Sequence, residues 1–467
     1  MRVAVIGAGI TGLAAAHRLV SLVPGAEVVL VDGAAAAGGK LRTGELAGGA
    51  FETGAEMFLT GDPGGGPSGA VRLARAVGLG DRLVGPATLR AALAVGGTLT
   101  PLPGGTLMGV PADLSTLDGV ARPAAERDRD GGGPLLAPEQ DVAVGDLVRR
   151  RLGDEVVDRL VDPLLGGVYA GHADAISLRM SIPALARAAT IEHTLVGAAR
   201  TAIASRRFDP GLPVFSTVPG GVGRLVAAVL DALQAAGVGV RLGLPVRELA
   251  RTPAGWRLVL GATRDPELIT ADAVVLAVPA APAVRLLATA GGPPGVALDY
   301  ASVALVGLAL PAADLPELSG LLVPASEGYA VKAATFFDRK WAHLRRPDGV
   351  ALVRMSLGRA GEEWVLQRDD AELARLAQDE LARLLRRDRL PEPIDVGVHR
   401  WGGALPQYPP GHADRVARLR AALPATLAVA GAAYDGVGIP ACIASGLAAA
   451  DAIVDGLRVH PGSGGGQ

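Results

Sequence analysis

At 467 residues the chain exceeds one simple core, and two or three domains are expected. Almost half of it is apolar (49%) and its charges nearly cancel at a formal −2, which gives no electrostatic ground for a nucleic-acid partner. The single cysteine, Cys442, excludes an internal disulfide and fits a reducing cytoplasm.

The chain opens with RVAVIGAGITGLAAAHRLVSL, which predicts a short buried strand, a tight glycine turn and a helix. VVLVD, ending at Asp32, predicts the next strand. A βαβ start of this kind implies a parallel sheet covered by helices. The glycine turn, with His17 and Arg18 in the helix, argues against a signal peptide despite Arg2 and the apolar run after it. Residues 61–69 (GDPGGGPSG) read as a loop, and a helical pattern follows from Val71 to Leu83. Residues 122–140 mix charge, Gly and Pro as an exposed loop. VGDLVRRRLGDEVVDRLVDPLL then repeats apolar residues at helical spacing, and helical character continues to about Ala204.

Ala271–Ala280 (ADAVVLAVPA) reads as a buried strand. Between Asp299 and Trp401 the β-like runs VALVGLAL, VALVRMSL and IDVGVHRW are interrupted by the helix DDAELARLAQDELARLLRR, so a mixed sheet is expected. ATLAVAGAAYDGVGIPACIASGLAAADAIV returns to strand, glycine turn and helix. Within it Cys442 reads as a small buried hydrophobe. A disordered tail, 459–467, is expected to follow. No stretch reads as long enough to span a bilayer, the longest apolar run being Val303–Leu310, cut by Pro311. Peripheral contact with a membrane stays open.

Gly7, Gly9 and Gly12 form GxGxxG between strand and helix. Gly7 permits the turn, Gly9 lets the backbone approach a pyrophosphate, and Gly12 lets helix and strand pack closely. The helix N-terminus, through Ala8, Ile10 and Thr11, offers free N–H groups. Asp32, twenty residues past Gly12, is placed to accept hydrogen bonds from a ribose. NAD and FAD both use this device. The following DGAAAAGGKLRT, with Gly38, Gly39, Lys40 and Thr43, resembles the paired-glycine motif of the amine-oxidase-like FAD superfamily. Gly54, Ala55, Glu56 and Met57 (ETGAEMF) resemble its next FAD-contacting turn. Ala36 and Ala37 stand where that superfamily usually carries a basic residue. No second GxGxxG lies in a strand-turn-helix setting, so oxygen or a quinone-like acceptor is expected rather than a pyridine nucleotide.

Further segments resemble the protoporphyrinogen and coproporphyrinogen oxidases of haem synthesis, and most of all the bacterial coproporphyrinogen III oxidases. They are LTPLPGGTLMGVP (from Leu99), DPLLGGVYAGHADAISLRMSIP (from Asp162), RWGGALPQYPPGH (from Arg400) and AGAAYDGVGIPACIASG (Ala430–Gly446), with a weaker match in DRKWAH (Asp338–His343). They run through most of the chain in the family's order. Asp162, His172 and Ala441 depart from it, where Glu, an acidic residue and Asp are usual.

The resemblance implies an α/β fold: an FAD-binding Rossmann-like domain in three parts (1–84, 206–285, 401–458), a helical domain (85–205) and a mixed-sheet substrate domain (286–400). It implies FAD contacts at Gly7–Gly12, Asp32, Lys40, Gly54–Met57, Val246, Trp401 and Val437, Gly438 and Ile439. Trp401 and Tyr408 read either as flanking the flavin or its pocket or as ordinary core aromatics, and the scarcity of aromatics favours the first. Lys332, Arg354 and Arg90 are candidates for substrate carboxylates, with surface salt bridges as the default reading. The implied activity is oxidation of coproporphyrinogen III by oxygen in the cytoplasm, with other haem-pathway enzymes as possible partners. A protoporphyrinogen oxidase, another amine-oxidase-like enzyme and a non-catalytic flavin-bound tetrapyrrole carrier are the alternatives. Aromatisation of the macrocycle drives such a reaction, so no strong protein base is required. Neither a Ser/His/Asp arrangement nor a metal cluster stands out, the histidines are scattered, and no catalytic residue is assigned.

Overall fold

The computed structural model describes residues 1–459 apart from 63, 207, 208, 210, 312 and 313. Most of the expected tail, 460–467, lies outside the described residues.

The opening strand Arg2–Ile6 is the centre of a five-stranded parallel sheet. Its order is 239–241, 27–31, 2–6, 273–276, 427–429. The chain leaves the central strand to one side for Glu27–Val31 and comes back to its other side at Ala273–Leu276. The C-terminal end of Arg2–Ile6 is therefore the switch point, where open α/β sheets hold their ligands. The strands are apolar on both faces because both are covered. Helices Ile10–Leu22, Gly223–Ala235 and Ile439–Val459 cover one face, with Leu13, Leu19, Val229 and Ile453 in its core. The antiparallel strands Val246–Thr252, Gly255–Leu260 and Glu267–Ala271 cover the other, through Leu249, Trp256, Leu258 and Ile269.

A seven-stranded sheet runs in the order 395–406, 300–310, 351–357, 331–336, 320–322, 91–95, 98–101. All its pairs are antiparallel except 320–322 with 91–95. Helix Asp370–Leu384, closed at its start by a capping box from Asp369 and Glu372, covers one face. Residues 91–101 were expected in the helical region; they form the outer hairpin of this sheet instead. Short alternating runs such as AALAV carry little periodicity, and their partner strand lies far along the chain.

The helical region packs Leu147, Val148, Leu160, Leu165 and Leu185 around one core. Its long helical run breaks at Gly153 (φ +87°) and passes through a π-turn at Val157–Val161 before Pro163, which has no N–H to continue the ladder.

One expectation is corrected by the last helix. Ile439–Arg458 is long and apolar enough to cross a membrane by length and composition, whereas the sequence reading found no such stretch. Single Asp, Gly and Ser residues disguise the run in the sequence. Half of this helix is buried against the rest of the fold, and Gly446 lies on the first turn of Ile10–Leu22, where a Cβ would come 2.2 Å from the Thr11 carbonyl oxygen.

Candidate cofactor and substrate site

The glycine turn is built from backbone. Gly7 has φ +111°, and a Cβ there would lie 2.5 Å from the Ala277 carbonyl oxygen. A Cβ on Gly12 would lie 1.8 Å from the Gly7 oxygen, so strand and helix meet with no room for a side chain. At Gly9 the situation is reversed, since a Cβ would meet nothing within 4 Å. Gly9 begins helix Ile10–Leu22 with no side-chain cap and no acidic residue in the first turn. The N–H groups and the positive end of the helix dipole are thus left for an anion. An open cradle at an uncapped helix N-terminus fits the pyrophosphate of FAD.

The other expected contacts gather along one line through this cradle. Asp32 accepts the Ala8 N–H (2.6 Å) on one carboxylate oxygen and the Ala34 N–H (2.7 Å) on the other. The Leu244 N–H donates to the Asp32 carbonyl (2.9 Å) and a Gly33 Cβ would lie 3.2 Å from Pro245, which puts Val246 at the Asp32 end. Gly38 pairs with Gly9, its N–H bonding the Ala8 carbonyl at 2.8 Å, and a Gly39 Cβ would lie 3.4 Å from the Gly9 Cα. Lys40 is half-buried with its ammonium 5.8 Å from the Tyr300 ring centre, and burial pushes its pKa down. Val437, Gly438 and Ile439 open the last helix beside Cys442. Burial pushes the Cys442 thiol up to about 11, the behaviour of a packed hydrophobe.

The turn Gly54–Met57 is held differently. The Ala55 N–H reaches the Lys40 carbonyl (3.0 Å), and a Gly54 Cβ would lie 2.1 Å from that oxygen and 3.5 Å from Trp401. The Trp401 indole N–H donates to the Thr53 carbonyl (2.5 Å), and the Arg42 guanidinium sits 5.6 Å from the Trp401 ring centre. Glu56 was expected among the FAD contacts, but its buried carboxylate is taken by Lys340 on one oxygen and Arg354 on the other. Burial opposes its ionisation, yet those two cations hold it below the usual carboxylate range. Its carboxylate is therefore spent within the protein, and the backbone of the turn is what remains for a cofactor.

Arg354 is likewise engaged within the protein. Besides Glu56 it donates to the carbonyls of Glu52 (2.9 Å) and Gly54 (3.0 Å). Arg90 sits at the surface and donates to the Glu317 carbonyl (2.9 Å). Lys332 is buried and donates to the Gly358 carbonyl (2.8 Å), and burial, then the charge of Arg359, push it down to about 7. Tyr408, read either as flanking the flavin or as an ordinary core aromatic, is fully buried in the core of the helical region, which Val437 also packs against. It packs edge-on to Tyr169 at 5.9 Å and donates to the Ala432 carbonyl. Trp401 instead joins Ala170, Ala301, Val303, Ala360 and Ala404 where sheet and helical region meet.

Sequence reading missed Lys340 and the buried acid Glu52. Glu52 accepts the Val222 N–H (2.6 Å) and the Thr43 hydroxyl (3.0 Å). Burial nevertheless pushes its carboxyl up to about 7. A cavity of about 20 Å³, roughly the room of one water, lies between Thr43, Glu52, Glu56, Thr217 and His343. An acid at Glu56 inside an apolar run was the signal that a cation must meet it. Its partners lie 284 and 298 residues away, beyond any local pattern.

Residues 10–454 match the family described as flavin containing amine oxidoreductase. The coproporphyrinogen III oxidase of Mycobacterium tuberculosis is 38% identical over 465 residues, covering 97% of both chains. That of Bacillus subtilis is 30% identical over 480 residues, covering 96% of both. A crystal structure from Exiguobacterium, named as a candidate protoporphyrinogen oxidase, superposes with a TM-score of 0.81 at 30% identity, over 97% of this chain and 98% of that one. The chain belongs to the flavin-containing amine oxidoreductases and, within them, to the coproporphyrinogen III oxidase family.

Proposed function

We propose that the chain oxidises coproporphyrinogen III to coproporphyrin III. Six hydrogens leave the macrocycle as three two-electron steps, and oxygen takes the electrons as hydrogen peroxide. The observation that carries this reading is the open, uncapped cradle at Gly9, continuous through Lys40 and Gly54 with Trp401 and the mixed sheet. FAD, when bound, supplies the hydride acceptor and passes electron pairs to oxygen.

The residues do the rest. The N-terminus of Ile10–Leu22 binds the pyrophosphate, and Asp32 orients the ribose. Trp401 and Arg354 fix the path of the Gly54–Met57 turn. Ala170, Ala301, Val303 and Ala404 make an apolar wall that excludes water near Trp401. The aromaticity of the product supplies the driving force, so the wall needs no strong base. This reading includes a cytoplasmic location, peripheral contact with a membrane, and partners among the haem-pathway enzymes.

The test is porphyrin fluorescence and peroxide yield with coproporphyrinogen III and protoporphyrinogen IX, each in detergent and without it. We expect about three peroxides per porphyrin, as the stoichiometry of a two-electron flavin requires, and a higher kcat/KM for coproporphyrinogen. Equal or better turnover of protoporphyrinogen in both conditions overturns the substrate assignment. Porphyrin formation under strict anaerobiosis, beyond one flavin equivalent and with no added acceptor, overturns the choice of oxygen.

A further inference from the structure

Three successive carbonyls, those of Glu52, Thr53 and Gly54, are each held by a side chain from the seven-stranded sheet. Arg354 takes the first and third at 2.9 and 3.0 Å, and Trp401 takes the second at 2.5 Å. Arg354 and Lys340 then close on the Glu56 carboxylate, and the Thr217 hydroxyl donates to the Glu56 carbonyl at 2.8 Å. Arg354 lies on strand Ala351–Leu357, in the interior of the sheet, and its guanidinium also stacks 5.1 Å from the Phe337 ring centre. The path of residues 52–56 is thus set by side chains of a sheet that lies about 300 residues further along the chain.

We propose that Arg354 is a positioning residue for the cofactor: by gripping two carbonyls and the Glu56 carboxylate it fixes the Gly54–Met57 turn, and so the orientation of the flavin ring relative to a substrate on the same sheet. The proposal rests on reading Gly54–Met57 as an FAD contact. A planar fork with several fixed donors suits this task, since it meets three acceptors in set directions. An ammonium keeps the charge but offers no such fork.

The experiment compares the holoenzyme with Arg354→Lys, and with Arg354→Met/Lys340→Met/Glu56→Gln, which removes the whole buried ion group and leaves no member of it unpaired. Read out are thermal stability of the apoprotein, FAD dissociation constant, visible circular dichroism of the bound flavin, and kcat and KM. Arg354→Lys keeps a cation beside Glu56, so its apoprotein should melt near the wild type. Its FAD affinity should still fall roughly tenfold, about one charged hydrogen bond, with an altered flavin dichroism. Its kcat should drop more than its KM rises. A purely structural role predicts that stability and FAD binding change together in both variants. Wild-type FAD affinity and dichroism in folded Arg354→Lys overturn the proposal, as do stability and cofactor binding that fall in step across both variants. Gly9→Val separates this from a misplaced cofactor site: if that variant keeps FAD, the site itself is wrong, whereas if it loses FAD while Arg354→Lys behaves as wild type, only the role of Arg354 fails.

Discussion

Two regions of the site hold the same ligand in the proposed reading, and they are made in opposite ways. The cradle at Gly7–Gly12 is backbone against backbone. Its selectivity comes from side chains that are missing, and its one charged member, Asp32, braces the turn through the N–H groups of Ala8 and Ala34. The stretch from Glu52 to Glu56 is held by charged and aromatic side chains from distant strands, and it buries two carboxylates with Lys340 and Arg354. The first region therefore answers above all to steric change. The second answers to charge and tolerates little loss of balance, because an unpaired buried ion is strongly destabilising.

The sharpest way to break the comparison is Gly9→Val. Space at Gly9 is open in the protein, so the apoprotein should fold and melt as the wild type does, while FAD is lost completely because the side chain fills the pyrophosphate position. Retention of a full complement of FAD, measured by absorbance after gel filtration, removes the cradle from the site.

A smaller effect is expected from Glu52→Gln, and it should depend on pH. Burial, opposed by the Val222 N–H, the Thr43 hydroxyl and the charge of Arg354 and reinforced by Glu56, raises the Glu52 carboxyl from 4.5 to about 7. Below pH 4.5 folded and unfolded chains both carry the proton. Between 4.5 and 7 the folded chain binds a proton that the unfolded chain has released, so this residue's contribution to stability falls as pH rises and is lowest above 7. Gln does not titrate. The stability of Glu52→Gln relative to wild type should therefore rise by up to about 3 kcal/mol between pH 4.5 and 8. Denaturant titrations at pH 5 and pH 8 check the sign, and a difference that shrinks with pH contradicts the buried-charge account of this region.

Trp401→Phe sharpens the contrast with the smallest change. It keeps an aromatic ring beside Gly54 and deletes the N–H to the Thr53 carbonyl. The expected penalty is about 1 kcal/mol in FAD affinity, somewhat more if that carbonyl stays buried without a donor. No change by fluorescence titration means that the turn is held without the indole.

How much of this could be read in the sequence follows the same division. Gly7, Gly9, Gly12 and Asp32 lie within one βαβ unit, so spacing alone announces them. Helix Asp370–Leu384 was equally plain, since its apolar period and its Asp369/Glu372 cap are local. The hairpin at 91–101 was taken for part of the helical region because its membership of a sheet is decided by residues 320–322. Arg354 was a candidate for substrate carboxylates with a salt bridge as the default reading, and the salt bridge is what the structure shows; its charge is legible in the sequence but its partner Glu56 is not. For Tyr408 the sequence left a place beside the flavin and a place in the core both open, and only the structure shows its packing on Tyr169 and His412. Local hydrogen bonding leaves a trace in neighbouring letters, whereas long-range charge pairing leaves at most a lone acid in an apolar run and never the identity of its partner.

The parallel sheet takes strands from residues 2–6, 239–241 and 427–429, and Gly446 locks onto Thr11. During synthesis the glycine cradle therefore emerges well before the strand at 427–429 and the helix carrying Gly446 that complete it. About 400 residues separate Asp32 from Gly446, which at ribosomal speed is roughly 20–80 s. Throughout that interval helix Ile10–Leu22, whose Leu13 and Leu19 are fully buried in the finished protein, lacks its most extensive helix partner, Ile439–Val459. A ribosome stalled before residue 427 should therefore display an apolar, flavin-free fragment that chaperones bind.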